Sequence, residues 1–340
     1  MNLLLAGDFS PAEQAAWLHA LRQALPAHRV LSQHDPQASS ALIDAAIVAN
    51  PAPGSLAGLP GLRLIQSLWA GVDRLLADAT LPPGVPIARM VDPAMNAAMA
   101  ETALWAALAL HRGFFNYARQ QAQGLWQSHA QRRADEVTVL VLGHGEMGRA
   151  VALRLAQQGY TVSAWRRAPS GQGASGNAAG ASGSAAGAEA AVVDASADRS
   201  TPVQVLSGPA ALAGAMASAQ VVINLLPLTP QTRGLINAEW LARLPRGSGL
   251  VNLARGAQVV DDDLLAALDT GQLSHAVLDV FHTEPLPASH RYWAHPKVTV
   301  LPHAAAQTDA RSAAAVVARN IEALASGAPL QHLVQRAAGY

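Results

Sequence analysis

An α/β fold built on parallel sheets is predicted by three observations. Short apolar, β-branched runs alternate with helix-patterned segments along most of the chain, the order that produces βαβ units. A glycine cluster stands between one such run and the helix that follows it. At 340 residues and 51% hydrophobic content, the chain is long enough for about two domains and can bury a large core.

Residues 2–6 read as the first strand. Ser10-Pro11-Ala12-Glu13 then forms a capping box with proline at the first helical position, which predicts a helix to about Leu25. AAIVAN and LRLIQSL are further strands, so roughly the first ninety residues look like an α/β unit of their own. After Asp92-Pro93 an Ala/Leu-rich helix runs from Asn96 to about Arg112, and a more polar one covers about 116–128. VTVLVLG, a helix over about 147–158, TVSAW, VVINLL, GLVNLA, a helix over 262–270 and HAVLDV follow. Asp261 can cap the helix that carries Leu264, Leu265 and Leu268, and Gly271 can close it. The final helix, about 308–325, ends at Ser326-Gly327 with Pro329 beyond. Between about 169 and 200 the pattern breaks into a Gly/Ala/Ser-rich run. It has too few large apolar side chains to offset its ordering entropy, so a flexible surface insertion is expected there.

Composition removes several classes of function. Net charge is formally zero and charged residues make up 14%, so neither nucleic acid nor a membrane surface is favoured as a partner. The absence of cysteine excludes a disulfide framework, a thiolate metal site and a cysteine nucleophile, and no metal is expected. MNLLLAGDFS lacks the basic n-region of a secretion signal. The most apolar helical stretch, AAMAETALWAALALHR, is interrupted by Glu101 and is shorter than the roughly 20 residues of a membrane span. A soluble cytoplasmic protein is expected.

Gly143-His144-Gly145-Glu146-Met147-Gly148 fits G-x-G-x-x-G, following the strand VTVLVL and opening a helix. Such a cluster alone also fits flexible or methyltransferase loops; its place between strand and helix favours a dinucleotide. Gly143 suits the tight turn, Gly145 the approach of backbone to pyrophosphate, and Gly148 close helix packing. The helix N-terminus then offers free N–H groups and a positive dipole end to the phosphates. Glu146 is awkward beside a dianion, so its side chain should point to solvent, with Met147 next to it in the fingerprint. The strand TVSAW leads to Arg166 and Arg167, where an NAD enzyme places an acidic residue on the ribose 2′-OH. Guanidinium groups there favour a 2′-phosphate, so NADP(H) is predicted, with NAD(H) the alternative if both arginines are only solvated.

Arg255, Glu284 and His303 lie in GLVNLARG, LDVFHTEPLP and VTVLPHAAA, each at or just beyond the end of an apolar run. In open parallel sheets, ligands bind outside the carboxyl ends of strands. The three types suit reduction of a 2-oxo acid: a guanidinium holds a carboxylate, an imidazolium donates a proton, and a carboxylate keeps that imidazole charged. Singly they read more readily as a surface ion pair, a loop charge and a packing histidine. The dinucleotide fingerprint is what joins them into one expectation.

The order of motifs resembles the D-isomer-specific 2-hydroxyacid dehydrogenase family, and within it the glyoxylate/hydroxypyruvate reductase A group. The resemblance covers SLWAGVD, the fingerprint, INLLPLTPQTRGLIN, VNLARG, LDVFHTEPLP, LPHAAAQT and the terminal AAGY. It implies a Rossmann-type doubly wound coenzyme domain at 95–305 inserted into a flavodoxin-like α/β substrate domain formed by 1–94 and 306–340. It further implies His303 as acid/base, Glu284 as its partner and Arg255 as the clamp on carboxylate and carbonyl. Trp69, Ala70, Gly71 and Val72 resemble the substrate loop, and Pro227, Thr229 and Asp279 the nicotinamide side of the cofactor site. Trp293 resembles a tryptophan near the pocket, with core packing an equal reading. The implied activity is reduction of glyoxylate and hydroxypyruvate by a homodimer. The insertion after the ribose-binding strand and Glu146 in the fingerprint depart from the family pattern.

Two other readings remain. A dinucleotide-sensing binding protein would share the fold without turnover, and a dehydrogenase for another D-2-hydroxy acid, such as phosphoglycerate, would need basic residues for the phosphate. Near SLWAGVD only Arg74 offers one. A β-hydroxyacid dehydrogenase is disfavoured, since its fingerprint lies at the N-terminus and here it begins at Gly143.

Overall fold

The structure is a computed structural model that describes residues 1–38, 42–167, 192–193 and 203–339. The insertion expected at about 169–200 lies outside the described residues apart from the dipeptide at 192–193. In chain order the first elements are β1 (Asn2–Gly7), α1 (Pro11–Ala24), β2 (Arg29–Ser32), β3 (Ala45–Ala49), β4 (Leu64–Ser67) and α2 (Asp73–Leu76). Then come β5 (Ile87–Ala88), α3 (Pro93–His111), α4 (Phe114–Ala122), β6 (Thr138–Leu142), α5 (Glu146–Gln157) and β7 (Thr161–Arg166). The second half adds β8 (Val192–Val193), β9 (Gln204–Ser207), α6 (Pro209–Met216), β10 (Val221–Asn224), α7 (Ala238–Ala242) and β11 (Ser248–Asn252). It closes with α8 (Asp261–Asp269), β12 (Leu273–Leu278), β13 (Val298–Val300) and α9 (Ala310–Ser326).

These elements form two compact units. Unit 1 comprises Met1–Ala98, Pro227–Arg233 and Ala306–Tyr340; unit 2 comprises Met99–Leu226 and Gly234–Ala305. Unit 1 holds a five-stranded parallel sheet in the order β2-β1-β3-β4-β5, the flavodoxin-like arrangement. Parallel strands are covered on both faces, and β3 and β4 are accordingly buried throughout. Leu4, Ile43, Val48, Ile65 and Ile87 form part of the core against this sheet. The capping box forms as its residues predict: the Ser10 hydroxyl accepts from the Glu13 N–H at 3.3 Å, and Glu13 accepts from the Ser10 N–H at 2.8 Å. At the other end of the chain, α9 begins on an Asp309 cap and stops at Gly327, whose φ is 74°. Buried Asn320 of α9 donates to Gln66 of β4 at 2.7 Å, fixing the returning helix to the sheet of unit 1.

Unit 2 holds eight strands in the order β13-β12-β11-β10-β6-β7-β9-β8, all pairs parallel except β8 with β9. Numbered from β6, the run β9-β7-β6-β10-β11-β12 is 3-2-1-4-5-6, the Rossmann order, with β13 added at one edge. The strand order reverses between β6 and β10, so their carboxyl ends flank the switch point. Leu140, Val222, Leu250, Ala276 and Leu278 of the central strands meet Trp240, Leu264, Leu265 and Leu268 from the helices in one core.

Three local expectations change. The second helix ends at Ala122 instead of 128, because Gly124 turns left-handed at φ 66° and the Leu125 N–H bonds back to Gln120 at 2.9 Å. The N-cap of α8 is Val260, so Asp261 is its first helical residue, and its carboxylate accepts from the Tyr292 hydroxyl at 2.8 Å in place of a capping bond. Trp293 is 53% exposed, with its indole N–H donating to the Pro287 carbonyl at 3.0 Å, so it is not a core residue. Among the described residues, no helix is long and apolar enough to cross a membrane.

Candidate active site

The fingerprint sits at the switch point of unit 2, and its glycines are required by contact. Gly143 has φ 101°, a conformation L side chains rarely adopt, and a Cβ there would stand 2.7 Å from the Leu225 carbonyl oxygen. A Cβ on Gly148 would meet the Gly143 oxygen at 1.9 Å, so the first turn of α5 closes against the loop only with glycine. A Cβ on Gly145 would meet nothing within 4 Å. That open space lies at the N-terminus of α5, which no side chain caps. The cradle therefore fits a phosphate group bound by backbone N–H groups and helix dipole. Glu146 is exposed, as expected from its charge, and Met147 is half-buried.

Arg166 is the last residue of β7 and Arg167 follows it, the first half-buried and the second exposed. The Gly143 N–H donates to the Trp165 carbonyl at 2.8 Å, so the fingerprint loop and the arginine-bearing strand end are joined.

Two predicted segments belong to unit 1. Trp69, Ala70, Gly71 and Val72 follow the carboxyl end of β4. The Ser67 hydroxyl accepts from the Trp69 N–H at 3.0 Å, and the Trp69 carbonyl accepts from the Met90 N–H at 3.1 Å, which fixes the start of that turn. In the turn with Pro227 and Thr229, the buried Thr232 hydroxyl accepts from the Thr229 N–H and donates to the Pro227 carbonyl, both at 2.8 Å.

Arg255, Glu284 and His303 belong to unit 2, beyond the carboxyl ends of β11, β12 and β13. His303 Nδ1 and Glu284 Oε2 are 2.8 Å apart, and Glu284 Oε1 accepts from the Phe281 N–H at 2.8 Å. With Nδ1 committed to the carboxylate, Nε2 is the ring atom left to meet a substrate. His303 has φ 53°, an uncommon conformation for a non-glycine residue. The segment is held there by Asp279, whose backbone carbonyl accepts from the His303 N–H at 2.9 Å. The Asp279 side chain, 2% exposed, accepts from the N–H groups of Ala304 at 2.7 Å and Ala305 at 3.1 Å.

Electrostatics follow from this geometry. The Glu284 hydrogen bond raises the pKa of His303, partial burial opposes it, the Glu284 and Asp279 charges add to the rise, and Arg255 subtracts. Partial burial pushes Glu284 up, but its bonds to His303 and Phe281 and the charges of His303 and Arg255 hold it below its ordinary value. Burial raises Asp279 against the pull of the Ala304 and Ala305 N–H groups. Arg255 is thus within electrostatic range of both members of the pair.

What fixes Arg255 was not anticipated. Asn224, Asn252 and Gln258 are buried amides that form a closed network: Asn224 Nδ2 donates to Asn252 Oδ1 at 3.0 Å and to Gln258 Oε1 at 2.7 Å. Gln258 Nε2 donates to the Leu226 carbonyl at 3.0 Å. Asn252 Nδ2 donates to the Arg255 carbonyl at 3.1 Å, and Gln258 Oε1 accepts from the Arg255 N–H at 3.3 Å. A satisfied buried network of this kind rigidifies its surroundings. Next to it, a Cβ on Gly256 would lie 2.0 Å from the Phe281 carbonyl carbon, so the Arg255 turn rests directly on the segment that leads to Glu284. The asparagines at the ends of VVIN and GLVN were the available signal.

An imidazole whose pKa is raised by the carboxylate behind it, with a guanidinium nearby and a glycine loop that fits a phosphate on the same unit, can polarise and protonate a carbonyl next to a carboxylate. The NAD binding domain of D-isomer specific 2-hydroxyacid dehydrogenases matches residues 104–173 and 170–305. The chain belongs to this family. Among dehydrogenases of the family, it is 37% identical to a glyoxylate/hydroxypyruvate reductase A of Serratia proteamaculans (strain 568), with 100% of both chains aligned. A D-isomer specific 2-hydroxyacid dehydrogenase from Xanthobacter autotrophicus Py2, solved in complex with NADPH and MES, shares 34% identity at a TM-score of 0.83, covering 100% of this chain and 99% of that one. An NADPH-dependent glyoxylate/hydroxypyruvate reductase from Sinorhizobium meliloti, solved with NADP and sulfate, shares 31% identity at a TM-score of 0.84 with the same coverage. The Rossmann and flavodoxin-like sheets of this dehydrogenase are those its family resemblance implies.

Proposed function

We propose that this dehydrogenase is an NADPH-preferring reductase of small 2-oxo acids, converting glyoxylate to glycolate and hydroxypyruvate to D-glycerate. The observation that carries the reading is the Glu284–His303 pair at 2.8 Å, with the Arg255 charge acting on both residues. When bound, the reduced nicotinamide supplies the hydride that reaches the carbonyl carbon. His303 holds the proton that the developing alkoxide receives, at Nε2. Glu284 keeps that imidazole protonated and orients it. Arg255 pairs with the substrate's carboxylate and carbonyl oxygen, and the Trp69–Val72 turn offers backbone N–H groups to a carboxylate. Gly143, Gly145 and Gly148 cradle the pyrophosphate, Arg166 and Arg167 receive the 2′-phosphate, and Pro227, Thr229 and Asp279 serve the nicotinamide end. Likeness to reductases described as NADPH-dependent supports the cofactor preference.

Initial rates with glyoxylate, hydroxypyruvate, pyruvate and phosphohydroxypyruvate, each with NADPH and NADH, test the reading as a whole. The expected result is turnover of the first two with a higher kcat/KM for NADPH. A higher kcat/KM with NADH would remove the role of Arg166 and Arg167, and NADPH binding without turnover of any acid would sink the enzymatic reading.

The same proposal includes a cytoplasmic homodimer. Trp105, Phe114, Leu125 and Trp126, all in unit 2, are large apolar side chains left exposed within a short stretch from α3 to just past α4. Concentrations of exposed apolar surface mark interaction sites. Light scattering at micromolar protein is expected to give twice the chain mass; a monomer mass would count against the dimer.

A further inference from the structure

We infer that Asp261 is a positioning residue for the Glu284–His303 pair, acting by holding the far end of the loop that carries Glu284, whose near end is held at the Val259 carbonyl. The inference rests on the roles proposed above for those two residues.

Asp261 Oδ1 accepts from the Tyr292 hydroxyl at 2.8 Å and lies 3.7 Å from His282 Nε2, while Oδ2 lies 3.3 Å from His290 Nε2. His282 stands at the start of the loop and His290 and Tyr292 at its end. His290 Nδ1 accepts from the Tyr292 N–H at 3.3 Å, which leaves Nε2 as the ring nitrogen that faces Asp261 Oδ2 at 3.3 Å. His282 Nε2 donates to the Val259 carbonyl at 2.8 Å, two positions before Asp261 in the chain. Tyr292 is 3% exposed, and its ring lies 4.5 Å from that of His290 and 6.2 Å from that of Phe281. Burial first, then Asp261, raises the tyrosine's pKa, which keeps its hydroxyl a donor.

Between these ends residues 283–285 and 287–289 are exposed, and the supports of the middle lie at Leu286, which packs on the core, and at the Pro287 carbonyl, which accepts from the His290 N–H at 2.9 Å and the Trp293 indole at 3.0 Å. The loop's placement therefore depends also on how its ends are held. Glu284 makes its hydrogen bonds to the Phe281 N–H, at the near end, and to His303. Releasing one end lets the carboxylate drift from the imidazole.

Helix chemistry does not explain Asp261. Asp262 and Asp263 stand in the same first turn of α8, and any of the three can complement the helix dipole. Asp263 is used by the Ala238 N–H at 2.9 Å, and Asp262 pairs with Arg291. Among the described residues, Asp261 alone of the three reaches Tyr292 and the two histidines.

The test compares Asp261→Ala, Asp261→Asn, Tyr292→Phe and His303→Asn with the wild-type chain, measuring kcat, KM, NADPH affinity and the pH profile of glyoxylate reduction. A misplacement of about 1 Å remote from the chemistry can cost about 100-fold, so Asp261→Ala should lower kcat by about 10- to 100-fold. NADPH affinity should stay within about twofold, since the fingerprint is untouched. The pH at which reduction declines should move down, because His303 loses support for its proton while Asp279 and Arg255, the other charges acting on it, stay in place. Asp261→Asn keeps an acceptor for Tyr292 and should recover part of the loss. Tyr292→Phe, which removes one hydroxyl, should shift both readouts in the same direction and carries the test if Asp261→Ala does not fold. Wild-type kcat and pH profile in Asp261→Ala and Tyr292→Phe would overturn the inference, as would a fall in kcat with no movement of the profile. If His303→Asn abolishes turnover in those cases, the active-site reading stands and only the clamp fails. Turnover in His303→Asn would overturn both.

Discussion

His303→Ala is expected to lower 2-oxo acid reduction by about 10²- to 10⁴-fold while leaving NADPH binding intact, the usual cost of losing a positioned general acid. The fingerprint is built from β6 and α5, and His303 from the segment after β13, so the substitution removes the proton donor without touching the cradle. Fluorescence titration with NADPH and single-turnover rates separate the two effects. Undiminished turnover in the variant would exclude His303 from the chemistry. The wild-type pH profile carries a second consequence. His303 is raised above its ordinary value by Glu284, and the acid form is the one required. Reduction is therefore full below the ordinary imidazole range, persists through it, and falls as pH rises through the raised value. Oxidation of the hydroxy acid needs the neutral form and should run the other way. Glu284→Gln removes the charge behind the ring, so its decline should begin at lower pH.

Arg255→Ala is expected to cost about 2–5 kcal/mol in kcat/KM, or about 30- to 5,000-fold, the range for truncating one member of a desolvated, hydrogen-bonded charge pair. KM should rise and kcat fall together, because the same guanidinium binds the carboxylate and orients the reacting carbon. Arg255→Lys should recover little, since an ammonium cannot reproduce a planar bidentate fork. An unchanged KM for glyoxylate in Arg255→Ala would refute the clamp. The surrounding scaffold makes the experiment clean. Asn252 and Gln258 hold the backbone of residue 255 through its own C=O and N–H, so truncating the side chain leaves the turn anchored.

The readable part of this protein was its local chemistry. The capping box at Ser10, the fingerprint at Gly143 and the polar residues at three strand ends each depend on neighbours a few positions away, and each lies where its pattern placed it. β2, β5, β9, α6 and α7 were not anticipated: β2, β5 and β9 have four, two and four residues, and α7 only five, too short for a period to declare itself. Alanine-rich α6 shows no apolar stripe to distinguish it from a loop. The supports of the candidate site were hidden for another reason. Asn224 meets Gln258 across 34 positions and Asp261 meets Tyr292 across 31, and nothing in either local pattern points to the other partner. Asp261 shows the hazard directly: a residue with every local mark of a helix cap is used for a tertiary contact, because the helix starts one residue earlier.

The strand order of unit 2 bears on how such an enzyme can change over generations. Arg166 ends β7 and Arg167 follows it, the residues proposed for the adenosine end, whereas Glu284 follows β12, four strands away across β6, β10 and β11. At about 4.8 Å per strand, that is a separation of roughly 19 Å. A change of coenzyme preference at the end of β7 can therefore be made on one side of the switch point. Such a change leaves in place the proposed proton donor and its carboxylate, which follow β13 and β12 on the other side.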